Sequence, residues 1–221
     1  LSLLQTVLQY LFFYIGLAHT TGVKASIIEA VSTFVAILVA GYLFHQETVT
    51  SRKMLGCLIG FAGVVLVNVA GSGMDFHFSP AGDGCILLST VAYAFSSVCM
   101  KRFSQKEDPV MLSGYQFIFG GIVMIACGAA MGGHLKAFTA SAAALLIYMA
   151  MISAVAYSLW GMLLKYNPVS KVTVFGFMNP VIGVILSALL LNETESLGVS
   201  SVLALGLVCV GIYIVNAKAK E

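Results

Sequence analysis

Long apolar runs alternate with short polar breaks along the whole chain. The breaks contain glycine, proline, asparagine or clustered charges, as in Lys106-Glu107-Asp108-Pro109. Because a transmembrane helix needs about 20 apolar residues, the pattern predicts eight membrane-spanning helices. They cover approximately residues 1–19, 24–45, 53–70, 82–101, 109–132, 141–164, 169–191 and 197–217. The sequence therefore predicts an all-α fold, a polytopic membrane helix bundle.

The composition leaves little material for a water-facing surface. Hydrophobic residues make up 60% of the 221 residues and charged residues 9%, whereas soluble domains carry about 25% charged residues. The formal net charge is +2 and the basic residues form no block, so nucleic acid is not an expected partner. The five cysteines lie within apolar runs and the four histidines are scattered, so we expect no disulfide framework, no metal site and no cofactor.

Basic residues are distributed unequally between the two sides of the predicted bundle. Lys24 and Lys136 fall on one side, and the other side holds the rest: Arg52, Lys53, Lys101, Arg102, Lys106, Lys165, Lys171, Lys218 and Lys220. Cytoplasmic loops are enriched in Lys and Arg, so both chain ends are expected in the cytoplasm. The predicted location is the plasma membrane, which in bacteria is the inner membrane, with several spans and a cytoplasmic C-terminus.

One acidic residue lies inside the second apolar run. Glu29 is about five residues from the start of the span, roughly 7–8 Å along a helix. Acids at such a depth are rare and usually face the interior of a bundle. Helical spacing places Ser26, Glu29 and Thr33 on one small, polar face together with Ala36 and Ala40. Glu29 is the leading candidate for contacting a substrate amine or for proton coupling, and the alternative is a structural pair with Lys24 or snorkelling to the interface.

Features of the first three spans recur in the last three. The third span closes with GVVLVN (63–68) and the eighth with GIYIVN (211–216), and each preceding span ends in Glu-Thr. A shift of 147 residues places Lys24 on Lys171 and the Glu29 face on a second small, polar face: Thr173, Gly176, Pro180, Gly183 and Ser187. The two sets lie five spans apart, so they cross the membrane in opposite directions. Inverted repeats of this kind are typical of secondary transporters.

The repeat also divides the chain. Spans four and five have no earlier counterparts, so a symmetrical arrangement predicts two more helices before Leu1. We expect residues 1–70 to form the last three helices of a first repeat and residues 71–81 an external linker. Residues 82–217 then form a second, five-helix repeat.

These motifs resemble the EamA family of the drug/metabolite transporter superfamily. The resemblance rests on an apolar helix closing with an acid and then a Gly-rich helix ending in Gly-x-x-x-x-Asn, which occurs twice: EAVSTFVAILVAGYLFHQETVT…GFAGVVLVN and FMNPVIGVILSALLLNETE…GLVCVGIYIVN. It implies ten helices in two inverted five-helix halves around a central cavity that works by alternating access. Family members move amino acids, sugars, nucleotide-derived or drug-like metabolites, often outward. The family commonly has Glu-Pro within both repeats, where this chain has Asn179-Pro180 and Thr33-Phe34.

Further polar and aromatic residues are candidates for lining the cavity. Pro180 removes one helical hydrogen bond near the middle of its span, and Asn179 precedes it. Polar Gln9 lies on the first span, and three aromatic side chains that could stack on a planar substrate follow: Tyr93, Tyr157 and Trp160. For each residue the alternative is packing or hydrogen bonding between helices.

Two further motifs are interpreted as structural. Gly56-x-x-x-Gly60 and Gly128-x-x-x-Gly132 have the spacing at which membrane helices pack closely within one molecule. Glu47 and Glu193 each close a span, where a carboxylate is expected to accept hydrogen bonds from the N-terminus of the following helix.

The preferred function is a secondary transporter that exports a small organic metabolite, amino-acid-like or drug-like. Its expected partners are the substrate, the lipid bilayer and a proton as the coupling ion, in a monomer or a homodimer. The alternatives are a membrane-embedded enzyme and a scaffold subunit. The sequence contains no HExxH, GxSxG or P-loop motif, so we expect no enzyme.

Overall fold

The computed structural model describes residues 1–72, 79–133, 139–182, 186 and 199–217, and no strand occurs among them. Where the connecting residues are described, short turns join the helices. They are α1 (Ser2–Leu17), α2 (residues 22–43), α3 (Ser51–Ser72), α4 (Pro80–Ser104), α5 (Pro109–Ala130), α6 (Ala140–Tyr166), α7 (Val169–Ile182) and α8 (Val199–Asn216). The predicted all-α class is confirmed.

Four helices are long and apolar enough to cross a membrane by their length and composition: Lys24–Leu43, Pro80–Ser104, Pro109–Ala130 and Ala140–Tyr166. Shorter apolar helices cover Ser2–Leu17, Val169–Ile182 and Val202–Asn216. The outer helices α5 and α6 expose many large apolar side chains, including Ile125 and Ile147. Apolar surface of this extent suits lipid rather than water, so the chain is a membrane protein.

Side-chain caps set several of the helix starts. Asp108 accepts hydrogen bonds from the backbone N–H groups of Val110 and Met111 at 2.8 and 3.1 Å, and Pro109 occupies the first helical position. Ser79 Oγ similarly accepts from the N–H of Gly82 at 3.1 Å. Because of this cap, α4 begins at Pro80 and not at the predicted residue 82. Helix α3 continues to Ser72, and residues 73–78 of the predicted linker lie outside the described residues.

Helices α2 and α7 are both interrupted near the middle. In α2 the N–H of Val31 bonds to the carbonyl of Ile28 at 3.0 Å, and regular α-helix resumes at Ser32. Helix α7 changes from α-helix over Val169–Thr173 to a 3₁₀ turn over Val174–Phe177. The backbone nitrogen of Pro180 has no hydrogen to donate, which removes one helical bond just after this turn.

Helices α3 and α8 pack backbone against backbone. A methyl group added at Gly211 would lie 2.6 Å from the carbonyl oxygen of Gly56, and one at Gly60 would lie 2.5 Å from the ring of Phe177. The predicted packing role of Gly56 and Gly60 is confirmed. The prediction for the pair at positions 128 and 132 is wrong: the first has open space beside it and the second ends α5 with φ of +84°.

Two clusters of buried apolar side chains hold the helices together. The first joins α2, α3, α7 and α8 through residues such as Ile37, Val64 and Phe177. The second joins α2, α4, α6 and α7 through Ala36, Ala40, Val98, Leu164, Val169 and Val172. In both clusters α2 lies against α7, so the two interrupted helices share the centre of the bundle.

Candidate functional site

A cavity of about 610 Å³ lies between α1, α2, α4, α6 and α7. Cavities of 300 to 1,000 Å³ are typical of small-molecule sites. All nine residues singled out from the sequence line it: Gln9, Ser26, Glu29, Thr33, Tyr93, Tyr157, Trp160, Asn179 and Pro180. The structure therefore brings the sequence candidates together on one surface, and their roles stay predictions.

The carboxylate of Glu29 is exposed at this cavity. In the described part of the chain it makes neither a hydrogen bond nor an ion pair. The predicted structural alternative, a pair with Lys24, is not observed: the Lys24 ammonium lies 4.0 Å from the carboxylate of Asp83. Asp83 is itself engaged by the hydroxyl of Thr20 and the backbone N–H of Ser79. Glu29 is thus available to a molecule in the cavity.

An aromatic wall lies on α4 and α6. The rings of Tyr93 and Trp160 have centroids 6.2 Å apart at an angle of 32°. One turn earlier on α6, the Tyr157 ring packs edge-on against Phe117 with centroids 5.0 Å apart. The hydroxyl groups of Tyr157 and Tyr10 share a hydrogen bond of 2.7 Å. This wall offers a flat apolar surface, and the hydrogen bond to Tyr10 fixes the position of the Tyr157 hydroxyl.

The interrupted helices meet at the edge of the cavity. Thr33 Oγ1 donates to the carbonyl oxygen of Thr173 at 3.1 Å, and both threonines are buried. Asn179 and Phe175 on α7 are exposed at the cavity. A direct hydrogen bond therefore connects the two helices where their backbones depart from regular geometry.

Beyond Thr33 and Thr173, a polar cluster joins the segment that follows α2 to the start of α7. The Glu47 carboxylate accepts from the N–H and the hydroxyl of Ser170 at 2.9 and 2.6 Å, and from the Lys53 ammonium at 2.9 Å. The Lys101 ammonium donates to the carbonyl oxygens of Leu164 and Asn167 at 2.9 and 2.7 Å. The second apolar cluster lies between this polar cluster and the cavity, so this end of the bundle is closed.

This cluster corrects the expectation for Glu47. The carboxylate caps α7, far along the chain, and not the following helix α3. Thr50 caps α3 instead, since its Oγ1 accepts from the N–H of Lys53 at 3.4 Å. The matching prediction for Glu193 lies outside the described residues.

The sequence reasoning missed some residues at the cavity. Thr90 lies one turn before Tyr93 on the same face of α4, and that spacing could have identified it. Phe175 was not chosen as a candidate; the 3₁₀ turn places it at the cavity. Tyr10, which contacts the lining residue Tyr157 from outside the lining, lies 147 residues before it, the same shift that relates the two predicted repeats. Within the described residues, no group of three His, Cys, Asp or Glu side chains is placed to hold a metal ion.

Comparison with known proteins assigns the family. The model of the EamA-like transporter family matches residues 1–69 and 80–217. The chain belongs to the EamA-like transporter family. This EamA chain is 27% identical over 227 residues to the uncharacterized transporter YvbV of Bacillus subtilis (strain 168), covering 99% of this chain and 71% of that protein.

Two further comparisons agree. The uncharacterized inner membrane transporter YedA of Escherichia coli (strain K12) is 29% identical over 208 residues, which are 90% of this chain and 65% of YedA. A crystal structure matches with a TM-score of 0.80 at 18% identity, covering 94% of this chain and 72% of the other. At that identity the match shows a shared fold.

Proposed function

We propose that this EamA protein is a multi-pass secondary transporter that exports a small organic metabolite, amino-acid-like or drug-like, by alternating access. The observation that carries the proposal is the cavity between the interrupted helices α2 and α7, with the carboxylate of Glu29 open to it. Interrupted helices near the midplane are typical of substrate sites in such transporters. The relatives that carry the name transporter support the same class.

Reciprocal contacts support two inverted repeats. Gly56 approaches Gly211, and Gly63 approaches the carbonyl of Ala204. A shift of 148 residues exchanges these two contacts, as expected where a pseudo-two-fold axis passes between α3 and α8. A shift of 147 residues relates Tyr10 to its partner Tyr157. We infer an arrangement of eight spans here, out of ten in two five-helix repeats.

The proposed conformation is outward-facing. The distribution of Lys and Arg puts the Glu47 end in the cytoplasm, and this end is sealed by the Glu47–Ser170 hydrogen bonds and the apolar cluster beside them. Transport then requires this end to open while the opposite end closes. The proposed location is the plasma membrane with the C-terminus in the cytoplasm, in keeping with YedA being named an inner membrane transporter.

Glu29 is proposed to hold either a proton or the positively charged part of the substrate. Exchange of one for the other would couple export to proton entry, since a carboxylate that binds both must release one to take the other. Among the described residues that line the cavity, the other titratable groups are Tyr93 and Tyr157. We favour transport over a membrane enzyme because the described lining offers one carboxylate and hydroxyl groups, without a His, Cys, Lys or second acid to complete a catalytic set.

The test is Glu29→Gln in the full-length protein, reconstituted in vesicles with an imposed pH gradient. We expect the flux of the transported solute to fall at least tenfold, or the dependence of this flux on external pH to disappear. The neutral amide of glutamine can neither take up a proton as the carboxylate does nor form an ion pair with a cation. Glu107→Gln is the matched control: this exposed residue lies in the turn between α4 and α5. Unchanged flux and an unchanged pH profile in Glu29→Gln would contradict the role of Glu29.

A further inference from the structure

We propose that the cavity selects aromatic monocations, such as an arylalkyl ammonium ion, over the zwitterionic amino acid with the same ring. This inference rests on the proposed function, because it names the class of molecule that the transport site accepts. Two independent features of the lining carry it: the balance of charge and the position of the aromatic wall.

The charge at the described lining is a single negative group. Glu29 contributes a carboxylate, and Lys, Arg and His are absent from the described residues that line the cavity. Lys24, five residues before Glu29 on α2, has its ammonium 4.0 Å from the carboxylate of Asp83, and the ammonium groups of Lys53 and Lys101 belong to the polar cluster beyond the second apolar cluster. A cation placed beside Glu29 therefore gains an ion pair in a partly desolvated site, where such pairs are stronger than in bulk water.

A zwitterion fits this charge poorly. Its ammonium can meet Glu29, but its carboxylate then lies within a few ångströms of the same acid. Among the described lining residues, the groups able to donate to that carboxylate are neutral amides and hydroxyls, with Asn179 and Gln9 the largest. Neutral donors compensate a buried charge less well than a cation does. An amino acid should therefore bind more weakly than the amine that lacks its carboxylate.

The ring of the ligand has a matching surface. Tyr93 and Trp160 stand side by side at the cavity, and each is partly exposed. A planar group can stack on them, and a cation within about 6 Å of such a ring gains further attraction from its negative face. The volume of about 610 Å³ accommodates a molecule with one or two rings. The site therefore favours a molecule that carries both a positive charge and an aromatic ring.

Trp160 provides a direct readout, because it is the single tryptophan of this sequence and lines the cavity. We would titrate the purified full-length protein with four probes and follow the fluorescence of Trp160, in a form whose other tryptophans, if any, are replaced by phenylalanine. The probes are phenethylamine, L-phenylalanine, 2-phenylethanol and propylamine. They separate a cation with a ring, a zwitterion with a ring, a neutral ring and a cation alone.

We expect phenethylamine to bind at least tenfold more tightly than each of the other three. In Glu29→Gln the affinity for phenethylamine should fall to within about twofold of the affinity for 2-phenylethanol. The lost ion pair contributes about a factor of ten or more to the affinity. Tyr93→Leu should lower phenethylamine affinity while leaving propylamine unchanged. Glu107→Gln is the control for the loss of one surface charge. Equal or tighter binding of L-phenylalanine, or equal binding of 2-phenylethanol, would overturn the inference.

Flux in vesicles separates this inference from the proposed function. The same four probes are tested for uptake driven by a pH gradient, alongside a mixture of cell metabolites. Phenethylamine binding without movement of any solute would contradict transport and leave the ligand class standing. Movement of another solute, with no preference for phenethylamine in binding, would contradict the ligand class and leave transport standing.

Discussion

The hydrogen bond between Tyr10 and Tyr157 joins the two proposed repeats at a single pair of atoms. The hydroxyl oxygens lie 2.7 Å apart, one on α1 and the other on α6. Tyr157 lines the cavity and also packs against Phe117. The bond therefore holds α1 against α6 on one wall of the cavity, with one phenol donating to the oxygen of the other.

A double-mutant cycle measures this bond. Tyr10→Phe and Tyr157→Phe should each lower Tm by about 2–4 °C in detergent, since a hydrogen bond is worth about 1 kcal/mol. The double variant should lose clearly less than the two single losses combined, because the second substitution removes a hydroxyl that already lacks its partner. Strictly additive losses would mean that the two hydroxyl groups do not interact in the folded protein.

At the residue scale, helical periodicity predicted much of the cavity lining. Ser26, Glu29 and Thr33 reach the cavity together because they share one face of α2. Phe175 could not be found this way, since the 3₁₀ turn changes which side chains of α7 point in one direction. Tyr10 was missed for another reason. It contacts a residue that lines the cavity without lining the cavity itself, and such a contact depends on tertiary packing.

At the scale of helices, α3 and α8 approach each other backbone to backbone. Gly56, Gly63 and Gly211 allow backbone atoms to meet where any side chain would intrude. Membrane helices associate through such packing because lipid provides no hydrophobic driving force between them. Positions 206 and 211 on α8 differ sharply in this respect, since Gly206 has open space around it.

The contrast gives a matched pair of substitutions. Gly211→Ala should lower Tm by several degrees, because the added methyl lies 2.6 Å from the Gly56 carbonyl oxygen and overpacking costs about 1–3 kcal/mol. Gly206→Ala should leave Tm unchanged or raise it slightly, since alanine favours a helix over glycine by about 1 kcal/mol. Equal effects at the two positions, measured by thermal unfolding in detergent, would contradict this packing.

Helix positions were more predictable than helix geometry. Caps such as Asp108-Pro109 are local, so the start of α5 was placed at its observed residue. No proline or glycine marks the interruption of α2 at Val31 in the sequence. In the turn after α2, His45 has a φ of 51°, a conformation usually taken by glycine. These deviations reflect packing against α7 and α4 rather than local preference.

At the scale of the whole molecule, the cavity lies on one side of the Thr33–Thr173 contact and the closed polar cluster on the other. From the sequence, Glu47 was expected to act locally, on the next helix. Its actual partner, Ser170, is 123 residues away, and no pattern within one segment reveals a contact at that separation. Sequence motifs predicted the order of the proposed repeats, whereas they did not predict the Glu47–Ser170 contact between them.

If transport proceeds by alternating access, Glu47 stabilises the conformation described above. Its carboxylate is 5% exposed and holds both Lys53 and Ser170. Glu47→Ala leaves the N–H and hydroxyl of Ser170 without their acceptor and leaves the Lys53 ammonium with only the Thr48 carbonyl oxygen, at 2.8 Å, which costs about 1–3 kcal/mol. A loss of this size shifts a two-state equilibrium toward the conformation that is open at the Glu47 end.

Labelling from each side of the membrane measures that shift. A cysteine is introduced at Ala156, a small residue that lines the cavity, in a full-length background without other cysteines, and a membrane-impermeant maleimide is applied. With Glu47→Ala we expect labelling from the Glu47 side to rise several-fold and labelling from the opposite side to fall. Glu107→Ala should change neither rate. A rise on both sides would indicate loosened packing, and no change would show that the Glu47 cluster does not govern access to the cavity.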